Sequence, residues 1–173
     1  LKIESETKQK CDIVVIVQGD EPLTFPKMIE ESVEPMIKDE NILITNLVAD
    51  INSVETFQNP NEVKVVMDKD DNAIYFSREP IPTMKKGILE VPMKKQVCVI
   101  PFQRDFLLEY NEMEQTPLEK IESVDMMRII ENGGKIKMCN TNYKTKAVDT
   151  KEDLDLVCQI MKDDILFNTY KPK

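Results

Sequence analysis

Apolar positions along the chain follow two periods, and each period marks an element. Ile13-Val14-Val15-Ile16-Val17 is an unbroken β-branched run behind Asp12, the pattern of a central strand covered on both faces, as in a parallel α/β sheet. The turn Gln18-Gly19-Asp20-Glu21-Pro22 ends it. Phe25, Met28, Ile29, Val33, Met36 and Ile37 then recur at helical spacing. Ile42 to Ala49 reads as the next strand, and Val54 to Phe57 as one helical turn stopped by Asn59-Pro60. Val63 to Met67 and Ala73 to Ser77 form a hairpin around the Asp- and Asn-rich turn Asp68 to Asn72.

Three prolines and several lysines make Glu79 to Met93 a surface loop. Gln96 to Ile100 reads as one strand and Arg104 to Tyr110 as a short helix. Pro117 to Asn132 reads as a single helix, with Leu118, Ile121, Val124, Met127 and Ile130 on one face and Gly133 at the C-terminal cap. Ile136 to Cys139 is a further strand. Thr150 and Asp153 form a capping box for a last helix that buries Leu154, Val157, Ile160 and Met161. Strands alternate with helices and one hairpin interrupts them, so the class is α/β with a mixed sheet. At 173 residues the chain is one domain, 1–173.

Composition then removes whole classes of chemistry. The chain has 23 basic and 32 acidic residues, a net charge of −9, which argues against a nucleic-acid partner. It has no histidine, so no Ser-His-Asp triad, His general base or His-ligated zinc can be built. The cysteines Cys11, Cys98, Cys139 and Cys158 stand singly and read as reduced thiols of a cytoplasmic protein. Four glycines cannot write a Walker A loop or a G-x-G-x-x-G fingerprint. No apolar run reaches the ~18 residues of a membrane span, and no signal peptide opens the chain.

Two acids draw notice by position. Asp20 follows the end of a buried strand, where ligands of open α/β sheets gather. Asp149 immediately precedes the Thr150 cap. On position alone each reads first as a turn or capping acid, but brought together they suit Mg²⁺, which takes few protein oxygens plus substrate phosphates.

Several longer segments carry a resemblance. Gln18-Gly19-Asp20-Glu21-Pro22, Asn59-Pro60-Asn61 with Val63-Lys64-Val65-Val66, and Tyr75-Phe76-Ser77-Arg78 with Ile81-Pro82 resemble the 3-deoxy-manno-octulosonate cytidylyltransferase (CMP-Kdo synthetase) family. So do Pro117-Leu118-Glu119 with Ile121-Glu122 and Arg128, and Val148-Asp149-Thr150 with Asp153-Leu154. Order and spacing match from about Asp12 to Val157.

The resemblance implies a three-layer nucleotide-diphosphosugar-transferase-like fold with a mixed, mostly parallel sheet. It implies transfer of CMP from CTP to the anomeric hydroxyl of an eight-carbon sugar acid, for lipopolysaccharide or surface-glycan synthesis. Asp20 and Asp149 match the family's metal-binding, catalytic aspartates, with Mg²⁺ as cofactor. Gln18, Lys64, Arg78, Glu122 and Asp125 fall in matching motifs and are the candidate substrate contacts. Arg78 and Lys64 would meet the sugar carboxylate, and Gln18 a sugar hydroxyl. A homodimer touching through about residues 79–111 is implied as well.

Each has a plainer reading. Gln18 closes its turn, Lys64 is a solvated strand residue, and Arg78 pairs with Glu79 or another acid. Glu119 and Glu122 favour a helix dipole, and Asp125 pairs with Arg128 along the helix. The chain also departs from the family. Nothing corresponds to the opening strand and the loop rich in Arg, Lys and Gly that wraps the CTP phosphates. The N-terminal strands are thus expected before Leu1, and without them Ile13 to Val17 presents an open hydrophobic edge. Lys95 to Phe102 replaces a stretch that usually carries a histidine, a glycine and tyrosines, and Asp125 and Met126 stand for glutamate and glutamine. These are sugar-side regions, so the sugar acid is either Kdo or a relative of it. A non-catalytic remnant that dimerises or binds is the alternative, against which the retention of both Asp20 and Asp149 weighs.

Overall fold

The strand over residues 45–50 lies at the heart of the molecule, because it is buried from Thr45 through Ala49 and is paired on both edges. In the computed structural model, which describes residues 1–86 and 90–170, the chain begins with α1 (Lys2–Thr7), β1 (Ile13–Val17), α2 (Pro26–Lys38), β2 (Thr45–Asp50) and α3 (Val54–Gln58). It continues through β3 (Lys64–Met67), β4 (Ala73–Ser77), β5 (Lys94–Val97), β6 (Val99–Gln103) and α4 (Arg104–Glu112). It ends with α5 (Pro117–Glu122), α6 (Met127–Glu131), β7 (Lys137–Asn140), α7 (Lys151–Lys162) and α8 (Ile165–Tyr170). The surface loop expected over Glu79 to Met93 includes residues 87–89, which lie outside the described residues. No helix among the described residues is long and apolar enough to cross a membrane.

The main sheet has five strands in the order β4-β3-β5-β2-β7, and β1 pairs with β6 in a second, two-stranded ladder. The sheet is mixed, as expected, but it is not mostly parallel. Among the described strands only β2 and β7 run parallel. The β3–β4 hairpin, the return of β5 beside β2 and the β1–β6 pair are all antiparallel. β1 is likewise not the doubly covered strand its sequence suggests. Ile13 to Ile16 are half-buried and Val17 is exposed, and β6 is the partner of β1 among the described residues. A β-branched run reports burial propensity, and the neighbours decide how much of it is realised.

Two apolar clusters fill the interior. Ile44, Val48, Val65, Phe76, Phe102, Met127 and Ile136 pack together in one, while Met28 of α2 meets Leu47, Val97 and Val99 in the other. Met28, Ser32 and Met36 form the buried stripe of α2, one residue per turn on a single face.

Three further expectations are corrected. Residues 96–100 are not one strand, because a bend at Cys98 divides β5 from β6. Residues 117–132 are not one helix either. α5 ends at Ser123, which adopts a left-handed conformation with φ 52°, and α6 starts afresh at Met127. The fold-back lets Arg128 grip Glu119 through two hydrogen bonds of 2.8 and 2.6 Å. It also sets the Glu131 carboxylate against the backbone N–H groups of Leu118 and Glu119. Ile121 is left 74% exposed as a result. In α7 the Thr150–Asp153 capping box is present, but of its four expected apolar contacts Val157 alone is buried.

Candidate active site

The break at Ser123 and the bend at Cys98 both open onto one cavity of about 160 Å³. Its floor comes from the turn after β1. There Glu21 N–H closes onto the Gln18 carbonyl at 3.1 Å, and Gln18 N–H reaches the Cys98 carbonyl at 3.2 Å. Its far side comes from the loop before α7, whose Val148 N–H donates to the Asp20 carbonyl at 2.9 Å. Gln18, Asp20, Arg78, Asp125 and Asp149 all line this space. Lys64 and Glu122 do not.

Acidic side chains dominate the charged lining of the cavity, with Asp20, Glu21, Glu62, Asp125 and Asp149 against Arg78. Cys98, in its wall, has its thiol pushed up to about 12, first by burial and then by Glu21, Asp20, Asp125 and Asp149. Four carboxylates therefore act on one sulfur. Glu21, 8% exposed, is itself raised by burial, against the pull of Lys95. Sequence reading passed over Glu21 as part of a turn, although it directly follows Asp20 in a motif already singled out.

Lys64 is wholly buried rather than solvated. Its ammonium donates to the carbonyls of Asn59 at 2.8 Å, Glu62 at 2.6 Å and Arg78, which occupies all three of its N–H donors. Burial lowers its affinity for the proton. With its donors so engaged, Lys64 bears on the cavity through the loops it holds, and the reading of it as a solvated strand residue is corrected. Glu122 is also engaged within the protein. Its carboxylate accepts from Tyr75 Oη at 3.1 Å, Ser77 Oγ at 3.0 Å and the Arg78 backbone N–H at 2.9 Å. It holds the end of β4 in place.

Arg78 sits between these two and does face the cavity. Nε donates to the Glu122 carbonyl, Nη1 to that of Pro60 and Nη2 to that of Ser123. Among the described residues its guanidinium thus meets backbone carbonyls, and neither Glu79 nor another acid pairs with it. Of five guanidinium N–H donors, three are engaged among the described residues, which leaves two for a ligand. Asp125 is exposed, and Arg128 pairs with Glu119 rather than with it.

A chain of charges braces the Asp149 side. Lys95 Nζ meets Glu62 at 2.8 Å, Lys146 lies 3.7 Å from Glu62, and Lys146 pairs with Asp153 at 2.7 Å. Asp153 in turn accepts from the backbone N–H groups of Thr150 and Asp149, and its carboxyl is held down at about 2, chiefly by Lys146. A wider cavity of about 660 Å³ lies across Glu62 and takes in none of the site residues expected from sequence.

Among the described residues no group of three or more metal-ligating side chains forms a ready cage. Two loop carboxylates on one cavity are nevertheless a hard-oxygen donor set that leaves most positions around a small divalent ion to phosphate and water, as Mg²⁺ prefers.

The mixed sheet carries an acidic cleft at the end of β1 and at the loop beyond β7. A Bacillus anthracis protein solved in complex with sucrose shares this fold at TM-score 0.55 and 13% identity, with 91% of this chain and 58% of that one aligned. The sequence pattern of the cytidylyltransferase family matches residues 2–137, and the chain belongs to that family. It is 39% identical over 163 residues to 3-deoxy-manno-octulosonate cytidylyltransferase of Solibacter usitatus, covering 94% of this chain and 65% of the relative. Against the enzyme of the same name from Fusobacterium nucleatum it is 39% identical over 158 residues, covering 91% and 64%. A CMP:2-keto-3-deoxy-manno-octonic acid synthetase solved in complex with CTP superposes at TM-score 0.81 with 30% identity, over 93% of this chain and 66% of that one. The chain spans just under two thirds of the length of these relatives.

Proposed function

We propose that the chain carries the acidic-sugar and metal-binding side of a CTP-dependent cytidylyltransferase. In this reaction the anomeric oxygen of a 3-deoxy-manno-octulosonate-type acid forms a bond to the α-phosphorus of CTP. The bond from that phosphorus to the bridging oxygen breaks, pyrophosphate leaves, and the hydroxyl proton is lost to solvent. The observation that supports this most is the joint presence of Asp20 and Asp149 on one cavity, with their loops hydrogen-bonded through Val148.

The residues divide the work by chemistry. Asp20 and Asp149 would hold Mg²⁺, which when bound offsets phosphate charge and orients phosphoryl and sugar oxygens. Arg78 offers its two remaining N–H donors to the sugar carboxylate, the pairing that guanidinium favours. Gln18 and Asp125 address sugar hydroxyls. Lys64 and Glu122 act from behind, by fixing Arg78. Gln96, Cys98 and Ile100 line the same cavity, and they belong to the stretch that departs from the family, so the sugar's substituents are read there. The same reading carries a homodimer touching through residues 79–111, of which 87–89 lie outside the described residues, and a cytoplasmic site of action in lipopolysaccharide or surface-glycan synthesis.

The test is formation of CMP-sugar from CTP, Mg²⁺ and a panel of acidic sugars by the protein that carries this chain. The expected result is turnover with Kdo or a close relative and none with neutral sugars. Binding of CTP and Mg²⁺ without turnover on any acid would leave a binding module instead.

A further inference from the structure

We propose that Lys64 is a positioning residue that sets the sugar-facing wall of the cavity by tying two loops together; this rests on the reading of that cavity as the acidic-sugar site. The three carbonyls its ammonium collects come from separate places in the chain. Asn59 and Glu62 belong to the loop before β3, and Arg78 follows β4. Arg78 returns the tie, since its Nη1 donates to the Pro60 carbonyl at 2.9 Å. Two cations thus gather the carbonyls of Asn59, Pro60 and Glu62.

Besides these, the loop is held at its two ends, by Asn59 N–H on the Thr56 carbonyl at 3.2 Å and by Lys95 on the Glu62 carboxylate at 2.8 Å. Its own bonds are Glu62 N–H to the Asn59 carbonyl at 3.2 Å and Asn61 N–H to Asn59 Oδ1 at 2.9 Å. Lys64 is itself wholly buried, so no water can replace its ammonium without rearrangement. An apolar side chain there leaves the Glu62 and Arg78 carbonyls without this donor and the Asn59 carbonyl with Glu62 N–H alone, a state that folded proteins avoid. Arginine keeps the charge but presents a flat fork where a compact ammonium fits.

Selectivity follows from connectivity. Asn61, Glu62 and Arg78 all face the cavity. The wall meets the Asp149 side only through the Glu62 carboxylate, which Lys95 and Lys146 hold, and neither those ion pairs nor the Lys146–Asp153 pair depends on the Lys64 ammonium. Loosening this wall therefore weakens the hold on the sugar acid and spares the nucleotide.

The experiment pairs steady-state kinetics with amide hydrogen exchange on Lys64→Met. The KM for the sugar acid is expected to rise about tenfold or more while the KM for CTP stays within about twofold, a displacement effect confined to one substrate. Exchange at Asn61, Glu62 and Arg78 should quicken in the unliganded protein. Equal rises in both KM values, or unchanged exchange at those amides, overturn the proposal. If Lys64→Met does not fold, Lys64→Arg should show the same one-sided KM change at smaller size, and two unchanged KM values there overturn it as well. Wild-type protein that transfers CMP to no sugar acid would defeat the reading of the cavity instead, and the exchange data, taken without substrate, would still decide whether Lys64 holds the loops.

Discussion

Val148 donates its backbone N–H to the carbonyl of Asp20 at 2.9 Å, so two loops from opposite ends of the chain share a hydrogen bond. One side of it carries the acid that follows β1, and the other leads directly into Asp149. Neither carboxylate forms this bond. Backbone makes the join, which leaves both acids free to face the same cavity. The rest of the site is braced the same way, with charged side chains gathering carbonyls and amides around a small acidic space.

The thiols give a first check on that space. Cys11 and Cys158 are exposed, whereas burial raises Cys139 to about 11 and Cys98 to about 12. Since the thiolate is the reactive form, a thiol reagent at pH 8 should label Cys11 and Cys158 in the native protein much faster than part-exposed Cys98 or buried Cys139. Rapid native labelling of Cys98, mapped by mass spectrometry, would show that the acids do not crowd it.

Glu122 should matter to stability. Replacing it with Ala strips acceptors from Tyr75 Oη, Ser77 Oγ and the Arg78 N–H, and part-buried donors left unmatched cost on the order of 1–3 kcal/mol. For a domain of this size that lowers Tm by roughly 3–10 °C. A melt indistinguishable from wild type would mean that this carboxylate does not organise the end of β4.

Asp153 sets a pH signature. Its carboxyl is held at about 2 in the folded protein by Lys146 and the Thr150 cap, below its ordinary value, so it favours the native state at neutral pH. That contribution is complete above the unfolded value near ~4 and fades as pH falls toward 2. Asp153→Asn should therefore be less stable than wild type at pH 7, with the gap closing on acidification, as denaturant titrations at several pH values would show. A gap that stays constant with pH contradicts the linkage.

Much of the fold was legible from local pattern. The helix at Phe25 to Ile37, the hairpin around Asp68 to Asn72 and the Thr150 capping box all rest on short-range signals, and all are present. The errors lie where distant partners intervene. Nothing near Ser123 announces a left-handed residue, because the reason for the break is the pull of Arg128 and Glu131 back onto α5. Strand direction was misjudged for a similar reason, since the apolar run of β1 does not say that its neighbour will be the antiparallel β6.

The site divides along the same line. Gln18, Asp20, Arg78, Asp125 and Asp149 were visible as motif residues and do meet at one cavity. Lys64 and Glu122 were visible too, but a lysine in a strand and a glutamate in a helix look alike whether they touch a ligand or a backbone carbonyl. Glu21 and Glu62 carried no separate signal, because their burial is a property of the assembled walls.

The most direct test is calorimetric titration of Mg²⁺ into the protein with CTP present, for wild type, Asp20→Asn, Asp149→Asn and the double variant. If the two acids hold one ion together, each single change weakens the Mg²⁺-dependent heat about tenfold or more, and the double change adds little beyond the worse single one. Because both side chains are exposed, all four proteins should melt alike. Wild-type Mg²⁺ affinity in either single variant, or two losses that simply add, would contradict a shared ion.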